Sequence, residues 1–307
     1  MPELFCDVGR GITLCYETFG AEGDPPVVLI MGLGTQMIAW PDEFCEQLVD
    51  EGFQVIRFDN RDCGRSTHVS GRPPTLKQLL RRRIEPVHYT LSDMAQDTAG
   101  LLAELDLAPA HVVGASMGGM IAQTLSAEHP ELVRSLVSIM SSTGARRSGQ
   151  PAVSAYRLLI ARPPRDRDAF IDYLIRVSAT IGSNGFPRDP DRTRDLAGRS
   201  FDRGADAAGT GRQLGAILAS GDRTSQLRSI SAATLVIHGS RDPMVNRSGG
   251  VATARAIPGA RLEIVEGMGH DLPQGAWPQL VEAISGHARA ADAARGLQPR
   301  HADTRDE

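Results

Sequence analysis

The chain has 307 residues, 41% of them hydrophobic, and a formal net charge of −4. That is material for one large α/β domain with an insertion, or for two ordinary domains. The arginines are dispersed among carboxylates and Lys77 is the only lysine, so no basic face for nucleic acid or acidic lipid is expected.

The opening stretch MPELFCDVGRGITLCYETFG carries acidic residues and no signal-like apolar run, and no segment approaches the ~18 apolar residues of a membrane span. Cys6, Cys15, Cys45 and Cys63 lack metal-site spacing. Reduced thiols in a cytoplasmic protein are therefore expected, although Cys6 and Cys15 flank a turn and could face each other across a hairpin.

In chain order the pattern predicts a hairpin (residues 4–8 and 12–18), then an apolar strand, VVLIM, at 27–31. A short helix near 42–50 and the strand QVIRFD at 54–59 follow. A helix over 91–105 carries one apolar stripe, with Thr90 and Asp93 placed as a capping pair. The strand HVVGA, a helix from 117 to about 129 and the strand SLVSIM make a βαβ unit. Continuous apolar strands separated by helices predict a mostly parallel sheet covered on both faces.

From about 141 to 225 the texture changes to Arg, Asp, Gly and Pro with short helical bursts, YRLLIA at 156–161 and FIDYLIRV at 170–177. This predicts an inserted, mainly helical cap. The sheet resumes with ATLVIHG, a helix near 246–257, RLEIVE and a last helix over 273–288. The expected organisation is a core of residues 1–140 and 226–289, a cap of residues 141–225, and a disordered tail over 290–307.

Ser116 lies in GASMG, between a strand and a helix. Glycines two positions away on either side suit a hydroxyl held on a strained corner. A serine hydroxyl needs a base, and the base needs an orienting acid. His270, in the glycine-rich loop GMGHDLP after the last core strand, is the base candidate; His111, His129 and His238 read as structural, and His68, His88, His287 and His301 lack context. Asp242, just past the carboxyl end of ATLVIHG, is the acid candidate, with Asp271 its rival. The oxyanion donors expected are the backbone N–H groups of Met117 and Leu33, Gly34 being the alternative to Leu33. DNRDCGRST, at 59–67, is expected to form a hydrogen-bonded floor beside the site.

Taken together, MGLG, WPDEF, VIRFDNRDCGRST, HVVGASMG and GMGHDLP resemble the α/β-hydrolase superfamily over about residues 4–288. Within it they resemble the aclacinomycin methylesterase-like branch of bacterial serine esterases. The resemblance implies an α/β-hydrolase fold and a Ser116–His270–Asp242 triad, with Met31 where many members carry histidine. It implies a carboxylic-ester hydrolase, in one reading a methylesterase, acting on a small molecule through an acyl-enzyme. Gly34, Trp40 and Met244 are expected to touch substrate. No phosphate loop, metal-ligand cluster or dinucleotide fingerprint is seen, so no cofactor and no metal are expected, and no homo-oligomer is indicated. The 14 Arg against 9 Asp of the cap segment suit either an anionic substrate or a solvated surface. Competing readings are a lactonase, thioesterase, C–C hydrolase or cofactor-free perhydrolase on the same triad and, outside catalysis, a ligand receptor on a hydrolase fold.

Overall fold

In the computed structural model, which describes residues 2–297 apart from Arg82, Pro86 and Arg162, eight strands form one sheet. They are β1 (Leu4–Asp7), β2 (Thr13–Phe19), β3 (Pro26–Ile30), β4 (Gln54–Phe58), β5 (Ala110–Ala115), β6 (Val133–Ile139), β7 (Ala233–Gly239) and β8 (Arg261–Val265). Their spatial order is β1-β2-β4-β3-β5-β6-β7-β8. The β1–β2 hairpin joins β4 antiparallel, and β3 to β8 are mutually parallel.

Between the strands run α1 (Asp42–Asp50), α2 (Leu76–Arg81), α3 (Leu91–Glu104) and α4 (Met117–Glu128). Among the described residues, five helices separate β6 from β7: α5 (Val153–Ile160), α6 (Arg167–Ile181), α7 (Pro190–Asp202), α8 (Ala207–Ser220) and α9 (Thr224–Leu227). The chain ends with α10 (Ser248–Ala256) and α11 (Trp277–Ala294).

The strands are apolar on both faces because both are covered. Alternate residues of β3 serve opposite cores: Val28 and Ile30 pack with Leu101 and Leu102 of α3 and Ile121 and Leu125 of α4. Val27 and Leu29 pack with Phe44 and Leu48 of α1 and Leu280 and Ile284 of α11. The α3 N-terminus carries the full capping box, Thr90 and Asp93 each accepting the other's backbone N–H.

Two helices differ from the sequence reading. The last helix runs on to Ala294 because Ala288 and Ala291 are buried; residues 298–307 of the expected tail lie outside the described residues. α2 is a six-residue helix that the apolar pattern did not signal. In the hairpin Cys15 faces Phe5 while Cys6 faces Leu14, and all four thiols are free and buried. Burial pushes the Cys15 and Cys45 thiols up to about 12.

The inserted segment contains no strand among its described residues. Phe170 of α6 packs at a tilt against Phe201 of α7, ring centroids 5.4 Å apart. The segment meets the core through buried arginines. Arg203 bonds Asp59 at 2.8 Å and Glu3 at 2.7 Å. Arg212 holds Asp62 with two bonds of 2.9 and 2.6 Å. Arg223 donates to the Met120 and Ser142 carbonyls and to Gln123; burial pulls its guanidinium down to about 10.

Candidate active site

The candidate residues all follow the carboxyl ends of parallel strands, where open α/β sheets bind ligands. β5 delivers Ser116 directly into the first turn of α4, and Ser116 takes φ +56°, ψ −118°. Its neighbours enforce the corner. A Cβ on Gly114 would lie 2.2 Å from the Gly118 carbonyl oxygen, and one on Gly118 only 2.0 Å from that of Ile30. Any larger residue at either position would force the elbow apart. The Ser116 N–H is held by the Ile139 carbonyl at 2.9 Å.

β7 ends in a turn that aims Asp242 inward. One of its oxygens accepts the N–H groups of Met244 and Val245, both at 2.8 Å. The other lies 2.7 Å from His270 Nδ1. His270 Nε2 in turn lies 3.0 Å from Ser116 Oγ. A carboxylate on Nδ1 selects the tautomer with its proton there, leaving Nε2 free to accept a hydroxyl proton. His238 is also near Asp242, at 3.6 Å, but its Nε2 is bonded to the Val245 carbonyl at 2.7 Å. Burial lowers its pKa, which keeps the ring neutral. Asp271, the rival acid, faces Ser183 instead.

The loop after β3 backs onto Ser116: a Cβ on Gly32 would lie 3.1 Å from Ser116 Cβ. The Gly34 N–H is consumed by Gln213 Oε1 at 2.8 Å, and Thr210 of α8 sits against Gly34, whose φ is +63°. Leu33 N–H and Met117 N–H have no hydrogen-bond partner among the described residues. The floor is bonded as well as charged. Asp59 accepts the N–H groups of Met37 and Arg65, and Asn60 donates to the Met31 carbonyl at 2.9 Å.

Met244 is half-buried beside Asp242. Trp40, expected to touch substrate, is 0% exposed and packs 5.6 Å from Phe44 in the core beneath α1 and α11. Gln213 and Ser183, which touch the loops carrying Gly34 and His270, were not singled out by sequence; polar residues in a polar insertion carry no periodic signal.

Two crevices, of about 400 and 320 Å³, lie elsewhere, one against α9 and α10 and the other at the opposite edge of the sheet. The single group of potential metal ligands among the described residues, Asp62, His68 and Asp206, is already engaged by Arg212, and Tyr89 donates to Asp62 at 2.6 Å. No described helix is long and apolar enough to cross a membrane.

A mostly parallel, doubly covered sheet with a hydroxyl, an imidazole and a buried carboxylate joined at its carboxyl edge defines an α/β enzyme scaffold of the hydrolase type. Residues 25–273 match the family described as alpha/beta hydrolase fold, and the chain belongs to that family. It is 28% identical to rhodomycin D methylesterase DnrP of Streptomyces peucetius, over 91% of this chain and 96% of that protein. It is 29% identical to rhodomycin D methylesterase DauP of Streptomyces sp. strain C5, with the same coverage. Among solved structures it resembles the enol-lactonase from Burkholderia xenovorans LB400, with a TM-score of 0.70 and 22% identity over 95% of this chain and all of that one.

Proposed function

We propose that the protein is a serine carboxylic-ester hydrolase that works through an acyl-enzyme, with a small-molecule methyl ester as its substrate class. The observation that carries this reading is the hydrogen-bonded chain from Ser116 Oγ to His270 Nε2 at 3.0 Å and from His270 Nδ1 to Asp242 at 2.7 Å.

Ser116 Oγ attacks the ester carbonyl carbon as its proton passes to His270 Nε2. Asp242 stabilises the imidazolium, and the Leu33 and Met117 N–H groups hold the oxyanion. Collapse breaks the carbon–oxygen bond to the alcohol, which leaves with the proton from His270. Water, deprotonated by the same nitrogen, then attacks the acyl carbon and releases the acid and the free serine.

The inserted segment covers this edge as a cap, and its Arg167, Arg192, Arg203 and Arg212 are spent on carboxylates of the chain instead of substrate. The methyl-ester part of the reading rests on the two methylesterases that align over nine-tenths of the chain. Four buried, unpaired thiols suit a reducing cytoplasm.

The test is a panel of methyl, p-nitrophenyl and thio-esters and lactones, assayed with the native protein and with Ser116→Ala. Methyl-ester hydrolysis that falls by about 10⁴-fold or more in the variant is expected. Preference for lactones would replace the substrate class, and activity retained by the variant would overturn the nucleophile.

A further inference from the structure

Of the segments that carry groups assigned to catalysis, the loops of Leu33 and His270 are tied down by the inserted segment. Gln213 of α8 is 0% exposed. Its Oε1 accepts the Gly34 N–H at 2.8 Å, and its Nε2 donates to the Arg61 carbonyl at 2.7 Å. The oxyanion loop is thereby stitched to the floor loop through one side chain, next to Leu33.

At the other end, Ser183 follows α6 and is 2% exposed. Its hydroxyl donates to Asp271 at 2.5 Å and accepts the Gly269 N–H at 2.8 Å. Its own N–H reaches the same Asp271 oxygen at 2.9 Å. Two backbone bonds flank this pair: His270 N–H to the Ile181 carbonyl at 2.8 Å, and Gly185 N–H to the Gly267 carbonyl at 3.0 Å. The segments touch through glycines. A Cβ on Gly269 would lie 2.6 Å from Gly182, and one on Gly267 would lie 2.7 Å from Gly185 Cα.

A segment that needed only to stay attached could do so by apolar burial, which demands no partners. Buried polar side chains are costly unless satisfied, and here two of them are satisfied by N–H groups adjoining Leu33 and His270. We infer that Gln213 and Ser183, the latter with Asp271, are positioning residues through which the inserted segment sets the oxyanion loop and the base. The inference rests on the serine-hydrolase reading above.

The experiment follows the burst of an activated short ester in full-length protein, because the burst rate constant does not depend on how much of the sample is folded. Ser183→Ala, Asp271→Ala and Gln213→Ala are each expected to slow acylation by about 10- to 100-fold, the scale of a misplacement near 1 Å, with KM changed far less. Asp271→Asn keeps the acceptor and should recover most of the loss caused by Asp271→Ala. Gln213→Glu keeps the acceptor for Gly34 and loses the donor to Arg61, so it should fall between Gln213→Ala and the native protein.

Native burst rates in Ser183→Ala and Gln213→Ala, beside an inactive Ser116→Ala, would overturn this inference alone. Activity in Ser116→Ala would overturn the serine reading and this inference with it. If an alanine variant does not fold, the rate constants of Asp271→Asn and Gln213→Glu decide. A Gln213→Glu burst at the native rate would contradict the inference. So would an Asp271→Asn burst slowed as much as about 100-fold, since it would assign the Asp271 charge, not its acceptor, the dominant role.

Discussion

Ser116 holds a backbone conformation, φ +56° and ψ −118°, that costs on the order of 1–3 kcal/mol. The surrounding sheet and helix bear that cost only because Gly114 and Gly118 let two backbones approach where a Cβ would collide. This is why the corner was legible in sequence: the glycine spacing records a steric demand. Asp242 and His270 were legible for a related reason, each closing a strand in a loop marked by Pro or Gly. Trp40 is less legible, because an aromatic beside a glycine loop has the same local pattern whether it faces a pocket or a core. Its burial against Phe44 gives a specific expectation. Trp40→Ala should cost about 3–5 kcal/mol of stability in denaturant melts, while the ratios of kcat/KM among esters stay unchanged. A shift in those ratios without loss of stability would return Trp40 to the pocket.

Among the elements, α7 and α8 and the loop after β4 explain each other. That loop, dense in Asp and Arg, read as a floor, and the inserted segment read as arginine-rich, but no sequence pattern matches one to the other. The match is tertiary: Arg203 reaches Asp59, and Arg212 grips Asp62 with both partners almost fully buried. Sequence offered an anionic substrate or a solvated surface for those arginines, and for these two the structure supplies a third answer, an internal counter-charge. Leaving a buried carboxylate without its partner is expensive. Arg212→Met should therefore destabilise the fold by about 3–5 kcal/mol, read as a lower denaturant midpoint. A midpoint within about 0.5 kcal/mol of native would show that Asp62 is satisfied by Tyr89 and the backbone alone.

At the scale of the whole molecule, three imidazoles buried among the described residues link stability to pH. Burial lowers the pKa of His111, His238 and His287, so the unfolded chain binds more protons than the folded one below the ordinary histidine value of about 6.5. Their contribution is complete above about 6.5 and is lost as the pH falls toward the depressed folded values. Burial raises Asp97 and Asp271, which act in the opposite sense where carboxylates protonate, so the effect is best read above about pH 5. The urea midpoint is expected to fall steadily from pH 7 to 5, and a flat or rising midpoint would contradict the burial of these rings as neutral groups. The central claim concerns covalent chemistry at one oxygen, and trapping tests it most directly. The native protein, quenched in acid during turnover of p-nitrophenyl acetate, should carry one acetyl group, located by mass spectrometry on Ser116 and absent from Ser116→Ala. An acetyl group on any other residue, or a full burst of p-nitrophenol from Ser116→Ala, would contradict the account.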